Sequence, residues 1–188
     1  MVGAAYSGGA YLADSTGKIT LIEDLKEESI YLVEKINDNI YYNTTSNGTL
    51  MKLNLSTKEK VSLNLDQVYD TLPSPDGKQM LILQANGSKN TMLVYDLESG
   101  EKITVTEGAE LNGVSWSPDQ RRISYSLKED VNNTTVSSLY VYDMLTGKST
   151  QIAVDTQNIS TSWSPSGERL AYTEWDGIQY NSSIIYFK

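Results

Sequence analysis

The chain has 188 residues, 39% of them hydrophobic, which usually means one domain or part of one, and it carries a net charge of −9 with only three arginines, Arg121, Arg122 and Arg169. No basic stripe can be assembled from that set, which disfavours nucleic acids and anionic membrane surfaces as partners. With neither Cys nor His, the chain excludes disulfides, thiolate and imidazole metal sites, and Ser-His-Asp or Cys-His catalysis, leaving carboxylate chemistry and oxygen-ligand Ca²⁺ sites.

The opening, MVGAAYSGGAYLADSTGK, lacks the basic start and apolar stretch of a secretory signal, so the chain is expected to be cytosolic or to have lost an export segment. No run of about 18 apolar residues occurs, which argues against a membrane-spanning helix. GAAYSGGAYLADSTGKITLI reads as three short strands, with Ala5-Tyr6-Ser7 in the first. Acidic LIEDLKEES, residues 21–29, is the one candidate helix, and it is short. A strand from Ile30 to Glu34 and a turn at 36–39 follow, and then IYYNTTSNGTLMKLNLSTKEKVSL (40–63) reads as three strands. LPSPDGKQMLIL (72–83) opens a turn and a strand, and TMLVYDLESGEKITV (91–105) reads as strand, turn, strand. The same order recurs with SWSPDQRRISYS (115–126) and SLYVYDMLTGKSTQI (138–152). It begins once more with SWSPSGERLAYT (162–173) and SSIIYFK.

Aligned on Pro75, Pro118 and Pro165, the repeats are spaced by 43 and 47 residues. Met80 and Ile82, Ile123 and Tyr125, and Leu170 and Tyr172 alternate with period two, which is strand periodicity. Each unit therefore holds four strands, A to D. The expected fold is all-β, a β-propeller of four-stranded antiparallel blades with about four to five blades present, partial or open. The blades fall at about 1–24 (partial), 25–65, 66–107, 108–154 and 155–188 (partial), within a single propeller domain or fragment. In the A–B turn, Pro presets φ, Asp bonds back to nearby N–H groups, and Gly takes the left-handed conformation. Gln120 replaces that Gly in one copy and predicts a looser turn or one of another type. The C–D corners run from Asp96 to Gly100, from Asp143 to Gly147 and, one residue shorter, from Asp14 to Gly17. An Asp in a hairpin corner needs no metal to explain it. Trp116 and Trp163 are expected to pack between blades, where Pro73 leaves a smaller wedge.

WSPDQRRISYS and WSPSGERLAYT, each followed by a strand of the YVYD type and an Asp-x-x-Thr-Gly-Lys corner in the clearest copy, resemble the repeats of TolB-like β-propellers. These are relatives of WD-repeat propellers without the Gly-His and Trp-Asp signature. The resemblance covers nearly all the chain and is clearest over 66–188. It implies a propeller that commonly has six blades, so this chain, with about four and a half, is expected to be a piece of a larger propeller, or an open or oligomerising array. It implies a non-catalytic binding module or scaffold for protein–protein interaction in a bacterial envelope protein, extracytoplasmic in setting, whether periplasmic, cell-surface or secreted. The alternative is the propeller portion of a larger prolyl-oligopeptidase-type hydrolase or polysaccharide lyase whose catalytic residues lie outside this chain. No family residue for metal, peptide or catalysis has a matching position here.

In such a propeller the B–C and D–A connections share one end of the blades. Those connections differ between units and are read as loops at 84–90, 128–137, 174–183, 65–70, 107–112 and 155–158. They carry Asp66, Asp70, Glu107, Glu110, Asp155, Glu174 and Asp176 together with Tyr69, Trp175 and Tyr180. The expected site is an acidic rim with aromatic contacts for a basic or polar peptide segment, so the expected partner is a protein or peptide. The competing reading is that the aromatics pack against their own loops. No cofactor and no catalytic residue is expected; a Ca²⁺ ion held by Asp66 and Asp70 or by loop carbonyls is the metal option that remains. Eight Asn-x-Ser/Thr sequences, at Asn43, Asn47, Asn54, Asn86, Asn132, Asn133, Asn158 and Asn181, are read as turn chemistry.

Overall fold

A computed structural model describes residues 1–5, 8–46, 48–131, 134–154, 157–175 and 177–187, with side chains described for all of these except 130, 131, 134 and 157–159. The described chain forms five antiparallel sheets in sequence order. The first holds β1 (Val2–Ala4), β2 (Ala10–Ala13) and β3 (Ile19–Leu21). The second holds β4 (Ile30–Ile36), β5 (Asn39–Thr44), β6 (Leu50–Asn54) and β7 (Lys60–Ser62). The third holds β8 (Val68–Pro73), β9 (Gln79–Asn86), β10 (Lys89–Asp96) and β11 (Lys102–Gly108). The fourth holds β12 (Glu110–Trp116), β13 (Arg122–Val131), β14 (Thr134–Asp143) and β15 (Lys148–Ala153). The fifth holds β16 (Gln157–Trp163), β17 (Arg169–Trp175) and β18 (Tyr180–Tyr186). The acidic stretch expected to be helical contains one 3₁₀ turn, Glu23–Leu25, and no α-helix occurs among the described residues. Ala5 lies beyond the end of β1, and Tyr6 and Ser7 lie outside the described residues, so the first strand sits earlier than its sequence alignment placed it.

Five of the six alternating residues are buried and Tyr172 is half-buried, but in β9 the intervening Leu81 and Leu83 are buried too, so both faces of that strand are covered. Met80, Ile82, Ile123 and Leu170 are fully buried and Tyr125 nearly so. Two compact units are distinguished: residues 1–73, 77–86 and 94–102 in one, and residues 74–76, 87–93 and 103–188 in the other. In the first unit, Ala10, Ile22 and Leu25 pack with Ile30, Ile40, Tyr42 and Leu53, so apolar surface of the first sheet is covered by the second. In the second unit, Leu139 and Val141 of β14 pack with Leu170, Trp163, Tyr172 and Phe187 of the fifth sheet. Trp163 thus sits between two sheets, as expected, with its ring 5.5 Å from that of Phe187. Arg122 lies over the same ring, its guanidinium carbon 4.5 Å from the Phe187 centroid.

The turns are held by their own side chains. Ser74 and Ser117 donate to Asp76 and Asp119 at 2.7 and 2.6 Å, two residues on. Gln120 does not loosen its turn: it adopts φ +60, close to +68 at Gly77 and +74 at Gly167, and its N–H donates to the Ser117 carbonyl at 2.9 Å as that of Gly167 does to Ser164. The strain of a side chain in that region is offset by contact, since the Gln120 amide nitrogen can donate to both Asp76 carboxylate oxygens at 2.7 and 3.1 Å. At the C–D corners Asp14, Asp96 and Asp143 each accept from backbone N–H groups two to four residues ahead and from a Ser or Thr hydroxyl. Asn54 accepts from Ser56 and Thr57 in the same way.

Four of the stretches read as loops, 84–90, 107–112, 128–137 and 174–183, are largely strand. Lys128 pairs with Ser137 and Val131 with Thr134, so residues 128–131 and 134–137 are paired strand ends rather than loop. Residues 84–90 reduce to Gly87 and Ser88 between β9 and β10, and 107–112 reduce to Ala109 between β11 and β12. The polar residues there sit on strand positions whose backbone groups are paired across the ladder, and polarity alone does not distinguish a wet strand end from a loop.

Candidate functional site

The four A–B strand pairs share one irregularity. The register slips between Ile30 and Leu32 in β4, Val68 and Asp70 in β8, Asn112 and Ser115 in β12, and Gln157 and Ser160 in β16. A β-bulge leaves a residue unpaired and re-aims its side chain. In β8 that residue is Tyr69, half-buried, flanked by Asp70, whose carboxylate accepts from the Thr71 N–H at 2.8 Å. Tyr31 holds the same place in β4 and is 65% exposed. The sequence reading missed Tyr31; the signal was a β-branched residue followed by Tyr at the start of strand A, present in both Ile30-Tyr31 and Val68-Tyr69.

Asp66, in the connection before β8, is exposed and accepts from the Thr49 hydroxyl, while its carbonyl accepts from the Gln84 amide at 2.7 Å. Glu34, on β4, also escaped the sequence reading. Its carboxyl is held above the usual range, first by burial and then by the negative charge of Asp70. An acid interrupting the apolar run Ile30-Tyr-Leu-Val was its only sequence signal. Asn43 supports this region from below: its carbonyl oxygen accepts from the Leu32 N–H at 2.8 Å and its amide donates to the Val68 carbonyl at 2.7 Å. It is buried in strand β5, so here the turn reading is replaced by a structural bracket, and Asn181, paired with Glu174 within β18, is likewise a strand residue rather than a turn residue.

Asp66, Tyr69 and Asp70 belong to the first compact unit, and the remaining described candidates belong to the second. Glu107 is exposed near the end of β11. Glu110 opens β12 and is not a free acid: it is ion-paired with Lys128 and accepts from the Asn112 amide at 2.8 Å. The Lys128 bond, then the Asn112 bond, holds its carboxyl below the usual range. Glu174 and Trp175 end β17 and Tyr180 opens β18. Trp175 and Tyr180 are direct cross-strand partners with ring centroids 4.9 Å apart and planes tilted by 58°. The aromatics at this hairpin therefore pack on each other, yet Tyr180 stays 66% exposed and Ile178 86% exposed. Asp155 and Asp176 lie outside the described residues.

This arrangement can attract and stack; it has no thiol or imidazole with which to attack or shuttle protons. Among the described residues no group of three or more carboxylates converges in a way that could hold a metal ion. No described helix is long and apolar enough to cross a membrane.

Known structures share this fold. The β-propeller domain of the Trilobed protease from Pyrococcus furiosus, described as having an open velcro topology, superposes with a TM-score of 0.64 at 14% identity, over 85% of this chain and 55% of that one. TolB from Acinetobacter baumannii gives 0.61 at 21% identity, over 95% of this chain and 46% of that one. An acylaminoacyl peptidase from Pyrococcus horikoshii gives 0.62 at 15% identity, over 83% and 30%. The chain thus spans about half the length of the first two. No curated protein matches the sequence. The sheets are β-propeller blades of the TolB-like kind, and a family model matches residues 26–176, well over half of the chain. On that match the chain belongs to the family described as eukaryotic translation initiation factor eIF2A.

Proposed function

We propose that the chain is a non-catalytic binding module whose Trp175–Tyr180 pair, on the same hairpin as Glu174, holds a basic or polar peptide segment of a protein partner. The observation that carries this reading is the Trp175–Tyr180 pair: two aromatic rings preset against each other at a hairpin end, with Tyr180 two-thirds in water. Such rings offer contact area at small ordering cost. The ion pair on Glu110 narrows the electrostatic part to the other acids. With a net charge of −9, the part such a propeller plays in any assembly, including one of the kind the family description names, is contact with protein rather than with RNA. A bacterial envelope setting rests on the likeness to TolB, and finding the protein with ribosomes after cell fractionation would replace that setting with the translation machinery.

The test is titration of a set of synthetic peptides, Lys- and Arg-rich with interspersed aliphatic residues, followed by Trp fluorescence at low and high salt. Binding is expected to weaken as salt rises, and Tyr180→Ala is expected to weaken it at least about tenfold, a loss of roughly 1.4 kcal/mol or more. Affinity indifferent to both salt and Tyr180→Ala would sink the reading. A second reading, the propeller portion of a larger peptidase, is favoured by the likeness to the propeller of the Trilobed protease and to acylaminoacyl peptidase. A Gly-x-Ser-x-Gly segment followed by Asp and His in the adjoining coding sequence would decide for it.

A further inference from the structure

Within the first compact unit, the turn before β9 touches the second sheet at Ile36 and Gly77, where a Cβ built on the glycine would lie 3.2 Å from Ile36 Cγ2. These two residues line a hollow of about 230 Å³, to which the second sheet also contributes Asn39 and Tyr41, and the third sheet's turn and corner Lys78, Asp96 and Glu98. Every residue of the lining belongs to that one unit. Alternation along β5 explains the second sheet's share. Ile40 and Tyr42 pack with the first sheet, so Asn39 and Tyr41 stand on the opposite face.

Tyr41 is 4% exposed, yet its hydroxyl makes no hydrogen bond with any described residue, and the same holds for Tyr95, 8% exposed and close enough to act on it. A buried hydroxyl without a partner costs free energy, and other tyrosines avoid that cost: Tyr125 donates to Ser149 at 2.7 Å and Tyr140 to Glu129 at 2.8 Å. The fold does not require a phenol at position 41. In the second to fifth sheets the carbonyls of Asp38, Lys78, Arg121 and Glu168 accept the N–H of Leu55, Leu97, Met144 and Phe187. Three residues after those carbonyls stand Tyr41, Leu81, Ser124 and Ala171. Burial, and then Tyr95, raise the pKa of Tyr41, so at neutral pH it offers the hollow a neutral hydroxyl.

The rest of the lining selects the sign of the occupant. Asp96 and Glu98 bring two carboxylates against the one ammonium of Lys78, so an anion is disfavoured. The N–H groups of Glu98 and Ser99 and the Ser99 hydroxyl all donate to Asp96 Oδ1, and Oδ2 receives none of them. Ile36 and Leu97 supply apolar surface beside these acceptors. At about 230 Å³ the hollow is smaller than the roughly 300–1,000 Å³ of sites that enclose a drug-sized ligand, and it suits a head group on a short stem. We propose that it takes a primary alkylammonium group, the end of a lysine side chain or of a free amine, which donates to the Tyr41 hydroxyl oxygen and to Asp96 Oδ2 while its methylenes lie against Ile36 and Leu97. This site rests on the first unit alone and is independent of the Trp175–Tyr180 reading.

Titration of the ¹⁵N-labelled chain with n-butylammonium chloride at constant ionic strength tests this by NMR. Saturable shifts are expected at the amides of Asn39, Tyr41, Leu97 and Glu98, whereas 1-butanol and butyrate at the same concentrations should leave them in place. Tyr41→Phe removes an oxygen that no described residue uses, so the fold should be kept, and it should raise the dissociation constant at least about threefold. Because that change is neutral, a general attraction of cations to an acidic chain would not register it. Asp96→Asn keeps a corner acceptor, as Asn54 does, and should weaken binding by at least as much. N-acetyl-lysine N-methylamide separates the sources: binding equal to that of butylammonium assigns the site to a partner's lysine, and exclusion assigns it to a free amine. No saturable shift at these residues, equal binding of 1-butanol, or a dissociation constant that either substitution leaves unchanged overturns the proposal. Tyr180→Ala should bind butylammonium as the parent chain does, which keeps this test separate from that of the hairpin.

Discussion

Gly167 marks how tightly one turn sits on its neighbour. Its φ is +74, and a Cβ there would lie 2.5 Å from the Asp119 carboxyl group. Gly167→Ala is therefore expected to cost about 1–3 kcal/mol, from backbone strain and displacement of the carboxylate, read as a lower urea midpoint with an unchanged slope. In an Asp119→Ala background the steric part vanishes and the loss should shrink to that of the backbone alone. Gln120 shows that the left-handed conformation by itself is tolerated where the side chain finds a partner. Glu34 carries a pH signature. Burial and the Asp70 charge raise its folded-state pKa, so its protonated form favours the fold. The stability tied to that proton is fully present below the unfolded carboxylate pKa and is lost as pH rises through the folded value. Glu34→Gln should thus be more stable than the parent chain at neutral pH, by less than about 1 kcal/mol because water screens a half-exposed group, with the difference vanishing in acid. Equal stabilities at pH 7 would show that Asp70 and burial cost this site nothing.

At the scale of the element, the C–D corners depend on a side-chain acceptor more than on its charge. Asp143 gathers two N–H groups and the Thr146 hydroxyl, and the backbone bond from Thr146 leads the causes that lower its pKa. Asn54 performs the same task without charge. Asp143→Ala should cost about 1 kcal/mol in chemical denaturation, whereas Asp143→Asn should stay near the parent value. The sign for pH is the reverse of that at Glu34: stability linked to Asp143 is present above the unfolded carboxylate pKa and lost as pH falls through the folded one, and Asp143→Asn should remove that part of the acid sensitivity. The corners were legible because Asp-x-x-Thr-Gly acts within five residues. The pairing of 128–131 with 134–137 was not, because pairing partners are chosen across the ladder and leave no mark in local polarity. The bulges that aim Tyr31 and Tyr69 were hidden for the same reason: a bulge is a mismatch between two strands, and only one is read at a time.

At the scale of the whole molecule, repetition does most of the organising. Period-two runs punctuated by Ser-Pro turns and Asp corners specify four-stranded antiparallel sheets without helices, because alternation sets which side chains share a face and the turns set which strands become neighbours. That much the residues determined alone, down to the order in which strands follow in every sheet. Tertiary structure decided which face of each sheet is covered, and so which apolar side chains are core and which are surface. Val141 and Ile184 stand at corresponding registers, one buried and the other 57% exposed: a sheet lies over the first, and β14 is flanked by β15, whereas β18 is the last described strand of its sheet. It also decided which acids are already paired, since the pairing of Glu110 with Lys128 requires two strands to lie in register. Burial and ion pairing are properties of what lies opposite a residue, and a linear order of side chains does not contain that information.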